Sequence, residues 1–239
     1  MKISLKDIFQ MGFGTIKILA TLVLLFPIVA LCQQTKVTQD FGSWLGIDIE
    51  KKISKNFKIS VDQQIRFYTN LSEFDDYLID LGGNYKINKN FKLAAMIRYT
   101  YNAKRFDDVE FNYRYNFDLK FKGALTKKLT LHNRLRYQRE HTNIFSSNEP
   151  LIFPFSAIRN MVELKYKVNK KHQLLFSTEA FRRFEAFKLP YFSRFRLYLG
   201  DEFDTKIGEL SLSLGYEQEL NNAYPLKFLF LKAMFEIKL

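Results

Sequence analysis

The sequence contains little cysteine, proline or glycine. Among its 239 residues are one Cys, five Pro and ten Gly. The single cysteine, Cys32, lies at the end of an apolar N-terminal stretch. A chain that matures after this residue therefore has no disulfide and no thiolate metal site. The low proline and glycine content argues against a disordered chain.

Long hydrophobic runs are also absent after residue 32, where no stretch approaches the ~18 consecutive apolar residues that a transmembrane helix requires. The chain is nevertheless rich in aromatic residues, with 25 Phe and 13 Tyr, while 26% of its residues are charged and its mean hydropathy is −0.21. A soluble domain would normally bury such rings in a thick core. This combination favours a wall with one apolar and one polar side, which can cross a membrane as a closed barrel of ~9–11-residue strands.

The first 32 residues have the organisation of an export signal. The basic residues of this segment are Lys2, Lys6 and Lys17. An apolar stretch follows over Ile18–Leu31, and Ala-Leu-Cys at its end approximates the small-x-small cleavage pattern. We expect a signal peptide over 1–32 and a mature domain over 33–239. The alternatives are a retained membrane anchor and a lipidated Cys32, against which the bulk of Leu31 argues.

A short phrase recurs five times along the chain. Its copies begin at Ile53, Ile87, Leu125, Val168 and Phe203. The first two read Ile-Ser-Lys-Asn-Phe-Lys-Ile and Ile-Asn-Lys-Asn-Phe-Lys-Leu. Each copy places a polar tip between apolar residues, as where an extended strand reverses into the next. The spacing leaves room for two strands and one looser connection, which predicts an up-and-down meander.

Between the turns, apolar and polar residues alternate with a period of two. The clearest run is Val109–Phe121, where Val, Phe, Tyr and Leu alternate with Glu, Asn, Arg, Asp and Lys. A period of two kept over thirteen residues favours a strand over a helix. Eleven such strands can be read between Phe41 and Leu239. The prolines after residue 32 fall outside all of them, as a hydrogen-bonded ladder requires.

The tight turns alternate with longer predicted connections. These connections are Thr69–Asp76, Asn102–Asp108, Glu140–Phe155, Glu185–Tyr191 and Asn221–Pro225. Short turns on one rim and longer loops on the other are typical of an antiparallel outer-membrane β-barrel. Because bacterial single-chain barrels have even strand numbers, we expect about twelve strands, with ten as the alternative. The count would become even through a short first strand at 35–44 or a bend at Gly42 or Gly46.

The polar face would line a lumen narrower than that of porins with ~16–18 strands. We predict that charged residues of this face line it. They include Arg98, Glu110, Arg114, Asp118, Arg134, Arg136, Glu163, Arg194, Arg196, Glu202 and Glu217. Acids and bases alternate among them, so one interpretation is a lumen filled by ion pairs that hold the barrel rigid. The other is a narrow selective pore. The choice depends on strand register, so both stay open.

No residue pattern predicts an enzyme. His141 lies near Glu140, Ser146 and Ser147 in the longest connection, but no spacing enforces the geometry of a Ser-His-acid site. We expect no catalytic residue and no cofactor, and the sequence has no cluster of His and carboxylates typical of metal ligands. The net charge of +12 forms no basic stripe, because Arg and acids interleave, so we expect no nucleic-acid partner. Lysines at the turn tips suit anionic lipid headgroups.

Four segments together resemble one known family. They are Thr38–Leu45, Tyr85–Phe91, Asn133–Glu140 and Arg196–Glu202. The chain is similar, over 33–239, to the Gram-negative outer-membrane-type proteins called domain of unknown function 2490, common in Bacteroidota. That family carries no established activity, ligand or catalytic residues, so the resemblance assigns no role to any position. The C-terminal strand resembles the signal read by the barrel assembly machinery, although it ends in Leu239 rather than an aromatic residue.

We therefore expect an exported, monomeric outer-membrane barrel with a structural or small-solute pore role. Its partners would be outer-membrane lipid and, during biogenesis, the barrel assembly machinery. One alternative is a loop-borne lipid hydrolase or acyltransferase. Another is a soluble periplasmic barrel that holds an apolar ligand, and this alternative predicts that the apolar face points inward.

Overall fold

The computed structural model describes residues 38–103, 109–142 and 154–239. The predicted signal at 1–32 lies outside them. The strands are β1 (Thr38–Lys52), β2 (Phe57–Tyr68), β3 (Glu73–Lys86), β4 (Phe91–Ala103), β5 (Val109–Ala124), β6 (Leu129–His141), β7 (Phe155–Lys167), β8 (His172–Phe184), β9 (Tyr191–Asp204), β10 (Glu209–Glu219) and β11 (Leu226–Lys238). The part of the chain that the structure describes has no helix long and apolar enough to cross a membrane.

The eleven strands of the described residues close into one barrel in which strands adjacent in sequence are paired. These sequential pairs are antiparallel, which confirms the predicted all-β, up-and-down architecture. The ring is closed by β1 and β11, which run parallel, with Thr38 beside Leu226 and Glu50 beside Lys238.

The prediction of about twelve strands is wrong, and so is its alternative of ten. β1 is one continuous strand from Thr38 to Lys52, so neither Gly42 nor Gly46 divides it. When an odd number of strands alternates in direction, the first and last point the same way and have to pair in parallel. A parallel ladder satisfies the same backbone groups with slanted hydrogen bonds, so the wall closes without an extra strand.

The connection predicted at Thr69–Asp76 is also shorter than expected, because β3 begins at Glu73. The backbone N–H groups of Thr69 and Asn70 donate to the Asp40 carboxylate at 3.0 and 3.1 Å. Thr69, Asn70 and Leu71 have positive φ angles, which reverse the chain within four residues. The Asp40 carboxylate thus ties this short loop to β1.

The five predicted tight turns all form, and a hydrogen bond explains their common sequence. In four of them, the oxygen of the second turn residue accepts from the backbone N–H groups two and three residues later, as Asx and Ser/Thr turns do. These residues are Ser54, Asn88, Thr126 and Asn169. In the fifth turn, Thr205 accepts from Gly208. We call this rim the turn end and the opposite rim the loop end.

Large apolar side chains cover the outside of the wall, and charged side chains line much of its inside. Leu45, Phe117 and Leu199 are among the large apolar residues that remain exposed, whereas Asp118 and Arg136 are buried. This order is the reverse of that in a soluble domain. It follows from the period of two, since successive side chains of a strand point to opposite faces.

Candidate functional site

A cavity of about 610 Å³ lies inside the barrel and is lined by side chains from all eleven described strands. Asn102 and Arg183 line it toward the loop end, and Glu209 and Glu236 line it toward the turn end. The cavity therefore follows the barrel from one rim region to the other. Its volume lies within the ~300–1,000 Å³ range of small-molecule sites.

Eight of the eleven predicted lumen residues line this cavity. They are Arg98, Arg114, Arg134, Arg136, Glu163, Arg194, Arg196 and Glu202. Asp118 and Glu217 are buried in ion pairs with Arg136 and Arg196. Glu110 lies opposite the lining residue Asn102 in the register of β4 and β5.

Three arginines of the lumen each hold one carboxylate through two hydrogen bonds. The pairs are Arg98 with Asp80 at 2.6 and 2.5 Å, Arg136 with Asp118 at 2.6 and 2.7 Å, and Arg159 with Glu179 at 3.0 and 2.9 Å. Bidentate contacts of this kind fix both the distance between the guanidinium and the carboxylate and their relative orientation. Each pair joins neighbouring strands, so the inner wall is braced by charge as well as by its ladder.

Glu179 extends the last of these pairs into a network. It also accepts a hydrogen bond from Arg134 at 2.8 Å and lies 3.9 Å from Arg196. Arg196 in turn binds Glu217. The network runs through β6, β7, β8, β9 and β10, so five successive strands share one set of charges.

An aromatic cluster on the inner face was not predicted from the sequence. Trp44 stacks on Phe230 with ring centroids 3.8 Å apart, and Phe228 stacks on Tyr68 at 4.2 Å. Phe228 and Phe230 are fully buried, with 0% exposure. A signal was present in the alternation of each strand: Trp44 shares a face of β1 with Asp48, and the two phenylalanines share a face of β11 with Lys232, and both Asp48 and Lys232 line the lumen.

Two glycines make room for these rings. A Cβ on Gly42 would lie 2.6 Å from the ring of Phe228, and one on Gly215 would overlap the ring of Phe230. Neighbouring strands therefore pair a bare backbone with a large ring. This is a way to fill a narrow barrel without forcing its strands apart.

Arginines cover the aromatic residues and link them to the charge network. The Arg66 guanidinium lies 4.1 Å from the Trp44 ring centre, and that of Arg196 lies 5.0 Å away. Arg159 and Arg196 lie 4.3 and 4.7 Å from the ring of Phe181. These distances are those of cation–π contacts. Arg196 thus touches both the rings and the carboxylates.

Of the residues considered for a Ser-His-acid site, the structure describes His141 and Glu140. Ser146 and Ser147 lie outside the described residues. The ring of His141 stacks on Tyr113 with centroids 4.5 Å apart, and Glu140 forms an ion pair with Arg114 at 3.3 Å. Over residues 38–103, 109–142 and 154–239, no group of His, Cys, Asp and Glu has the arrangement of a metal site.

Comparisons with known proteins give a family without an assigned activity. A family model described as "Protein of unknown function (DUF2490)" matches residues 41–224. No curated protein matches the chain. A solved chain titled "Bacterial polysaccharide outer membrane secretin" is similar with a TM-score of 0.42 and 11% sequence identity, over 71% of this chain and 71% of that chain.

Proposed function

The chain belongs to the family described as Protein of unknown function (DUF2490), and since this description names no activity, we propose a function from the structure of the barrel. It is an outer-membrane β-barrel whose narrow, charge-lined lumen lets small polar solutes cross. The observation that carries this proposal is the inverted wall, in which apolar side chains surround a polar cavity lined by every described strand.

The outer face supports a membrane location. Ile47, Ile97, Phe117 and Leu199 are each more than two-fifths exposed on four different strands. In water such a belt would far exceed the few hundred Å² of apolar surface that monomeric proteins expose. In a bilayer the belt contacts lipid, and the closed ladder satisfies the backbone groups. The soluble alternative requires the opposite orientation of the two faces.

The lumen supports passage of small solutes. The cavity of about 610 Å³ reaches toward both rims and is lined largely by charged and polar groups. A second candidate is a structural barrel whose lumen is closed by charge pairs. It is favoured by the two-pronged pairs of Arg136 with Asp118 and Arg159 with Glu179, which take up space on one side of the lumen.

The membrane location is tested by expressing the full chain with its own N-terminus and separating the cell fractions. We expect it in the outer membrane, with a band that migrates differently before and after heating in detergent, because a closed barrel resists unfolding at room temperature. Recovery in the periplasm without a heat shift would contradict the proposal.

The pore is tested by conductance of the purified barrel in a planar bilayer. We expect discrete steps that Ser213→Trp reduces, because Ser213 lines the cavity. Leu212→Trp is the matched control, since Leu212 is the adjacent residue on the outer face. Both variants are first checked for the heat-modifiable band. A folded barrel without conductance would favour the structural candidate.

A further inference from the structure

Strand register places arginines beside arginines in the lumen. Arg98 lies directly opposite Arg114 on β4 and β5, and Arg136 lies opposite Arg159 on β6 and β7. All four line the cavity. Like charges directly opposite each other destabilise a sheet. The arrangement therefore needs negative charge near these side chains.

The carboxylates of the protein supply this charge unevenly. Glu179 is shared by Arg134 and Arg159, and Glu217 is shared by Arg194 and Arg196. In each case two guanidinium groups depend on one carboxylate. Cations therefore exceed carboxylates along this part of the wall.

Arg114 is more weakly paired than Arg98, Arg136 and Arg159. Within the described part of the chain its one ion pair is with Glu140, at 3.3 Å through Nη1, whereas Arg136 holds Asp118 through two short bonds. The Nε of Arg114 is buried and has no hydrogen-bond partner among the described residues. The positive charges of Arg98, Arg136 and Arg159 all repel the guanidinium of Arg114. The guanidinium of Arg114, which lines the cavity, is therefore only partly hydrogen-bonded within the described residues.

Lys232 adds a further cation to the same space. It lines the cavity, its ammonium makes no ion pair within the described residues, and it lies 5.7 Å from the centre of the Tyr198 ring. Its electrostatic neighbours are Asp62 and three arginines, Arg66, Arg134 and Arg196. Lys232 and Arg114 therefore both offer donors to a bound group.

We propose that a small oxyanion, with a carboxylate or phosphate group, binds in the lumen at the arginine cluster. We define this cluster as Arg66, Arg98, Arg114, Arg159 and Arg196, with Lys232 beside it. Guanidinium forks match the geometry of such groups, and an added negative charge relieves the repulsion between the opposed arginines. Because the wall is a closed ladder, the anion arrives from water along the lumen rather than from lipid. The inference rests on the proposed function in that the lumen must be open to water.

Trp44 provides a direct optical probe of this cluster. It is the only tryptophan of the chain, and its ring lies under Arg66 and Arg196, at 4.1 and 5.0 Å. An anion that draws these guanidinium groups toward itself changes the surroundings of the indole. We would replace sodium chloride by sodium phosphate at constant ionic strength and follow Trp44 fluorescence of the purified barrel in detergent. A second series with sodium acetate tests the carboxylate group.

We expect a saturable fluorescence change in at least one series. Arg114→Gln and Lys232→Gln should each weaken binding about tenfold, since each removes a charge-assisted hydrogen bond. Lys122→Gln is the matched control for Arg114, because it makes the same charge change on the inner face of β5 but near the turn end. It should bind like the unmodified protein. The heat-modifiable band shows that each variant is folded.

The inference is overturned if fluorescence changes linearly or not at all, or if both cluster variants bind as tightly as the control. Its failure is distinguishable from failure of the pore. Saturable binding in a barrel that conducts no ions would keep the anion site and reject the proposed transport role. Conductance without a saturable fluorescence change would reject the anion site alone.

Discussion

The inside of the barrel is filled in two different ways on its two sides. Around β1 and β11, the rings of Trp44, Phe228 and Phe230 pack together and nearly exclude water. On the opposite wall, pairs such as Arg136 with Asp118 fill the space with charge. The packing of the ring side depends on the volume of its side chains, whereas the pairing on the charged side depends on which residues stand opposite each other on neighbouring strands. The cavity is bounded by both sides.

The two sides should differ in the substitutions that destabilise them. Truncating a packed ring leaves a cavity and costs the lost transfer energy as well. Removing one member of a buried ion pair leaves an uncompensated charge, but replacing both members by apolar residues of similar volume is often neutral. The comparison can therefore be tested by one truncation, one broken pair and one double replacement.

The largest effect is expected for Phe230→Ala, which removes a ring with 0% exposure. We expect a loss of about 3–5 kcal/mol in the free energy of unfolding, measured by urea denaturation in detergent. Leu231→Ala is the control, because the adjacent side chain points outward and is 51% exposed. An equal loss in both variants would show that the ring cluster has no special role.

A slightly smaller effect, about 3 kcal/mol, is expected for Asp118→Asn. It deprives the buried Arg136 of its carboxylate, whose two bonds measure 2.6 and 2.7 Å. The same unfolding measurement should give nearly the stability of the unmodified protein for the double replacement Asp118→Leu with Arg136→Met. A double variant as unstable as the single one would mean that charge pairing is required on this wall.

The smallest effect belongs to a site outside both regions, the turn between β5 and β6. Thr126→Ala removes two hydrogen bonds that the backbone N–H groups of Lys128 and Leu129 donate to Thr126 Oγ1, at 3.2 and 3.0 Å. The turn is exposed, so we expect a loss of about 1 kcal/mol in unfolding free energy. Lys127→Ala, in the same turn, is the control and should change little. A loss as large as that of Phe230→Ala would place the main stability of the barrel in its turns.

The strands and their faces were predictable because they depend on neighbours in sequence. In Val109–Phe121 each residue's face follows from the alternation alone, and β5 confirms the strand. The shared turn phrase was equally local, since Ser54 or Asn88 needs only residues two and three positions away. For the same reason most of the predicted lumen residues do line the cavity.

Other features of the site depend on contacts between distant parts of the chain. Asp118 and Glu217 stand at inner positions but are buried by their arginine partners, which alternation does not reveal. Trp44, Phe228 and Phe230 break the charged pattern of the inner face. Alternation places them on the inner face, but the approach of Phe228 to Gly42 and of Phe230 to Gly215, which gives the rings their space, is a contact between distant parts of the chain.

The sequence by itself determined that this chain forms strands with an apolar and a charged face, and that tight turns alternate with longer connections between them. Only the tertiary structure decided that eleven described strands close through a parallel pair of β1 and β11. It also decided that Arg98 stands opposite Arg114. The reason is physical: a period of two sets which way a side chain points, whereas the closing pair and the cross-strand neighbours are set by how the whole ring fits together.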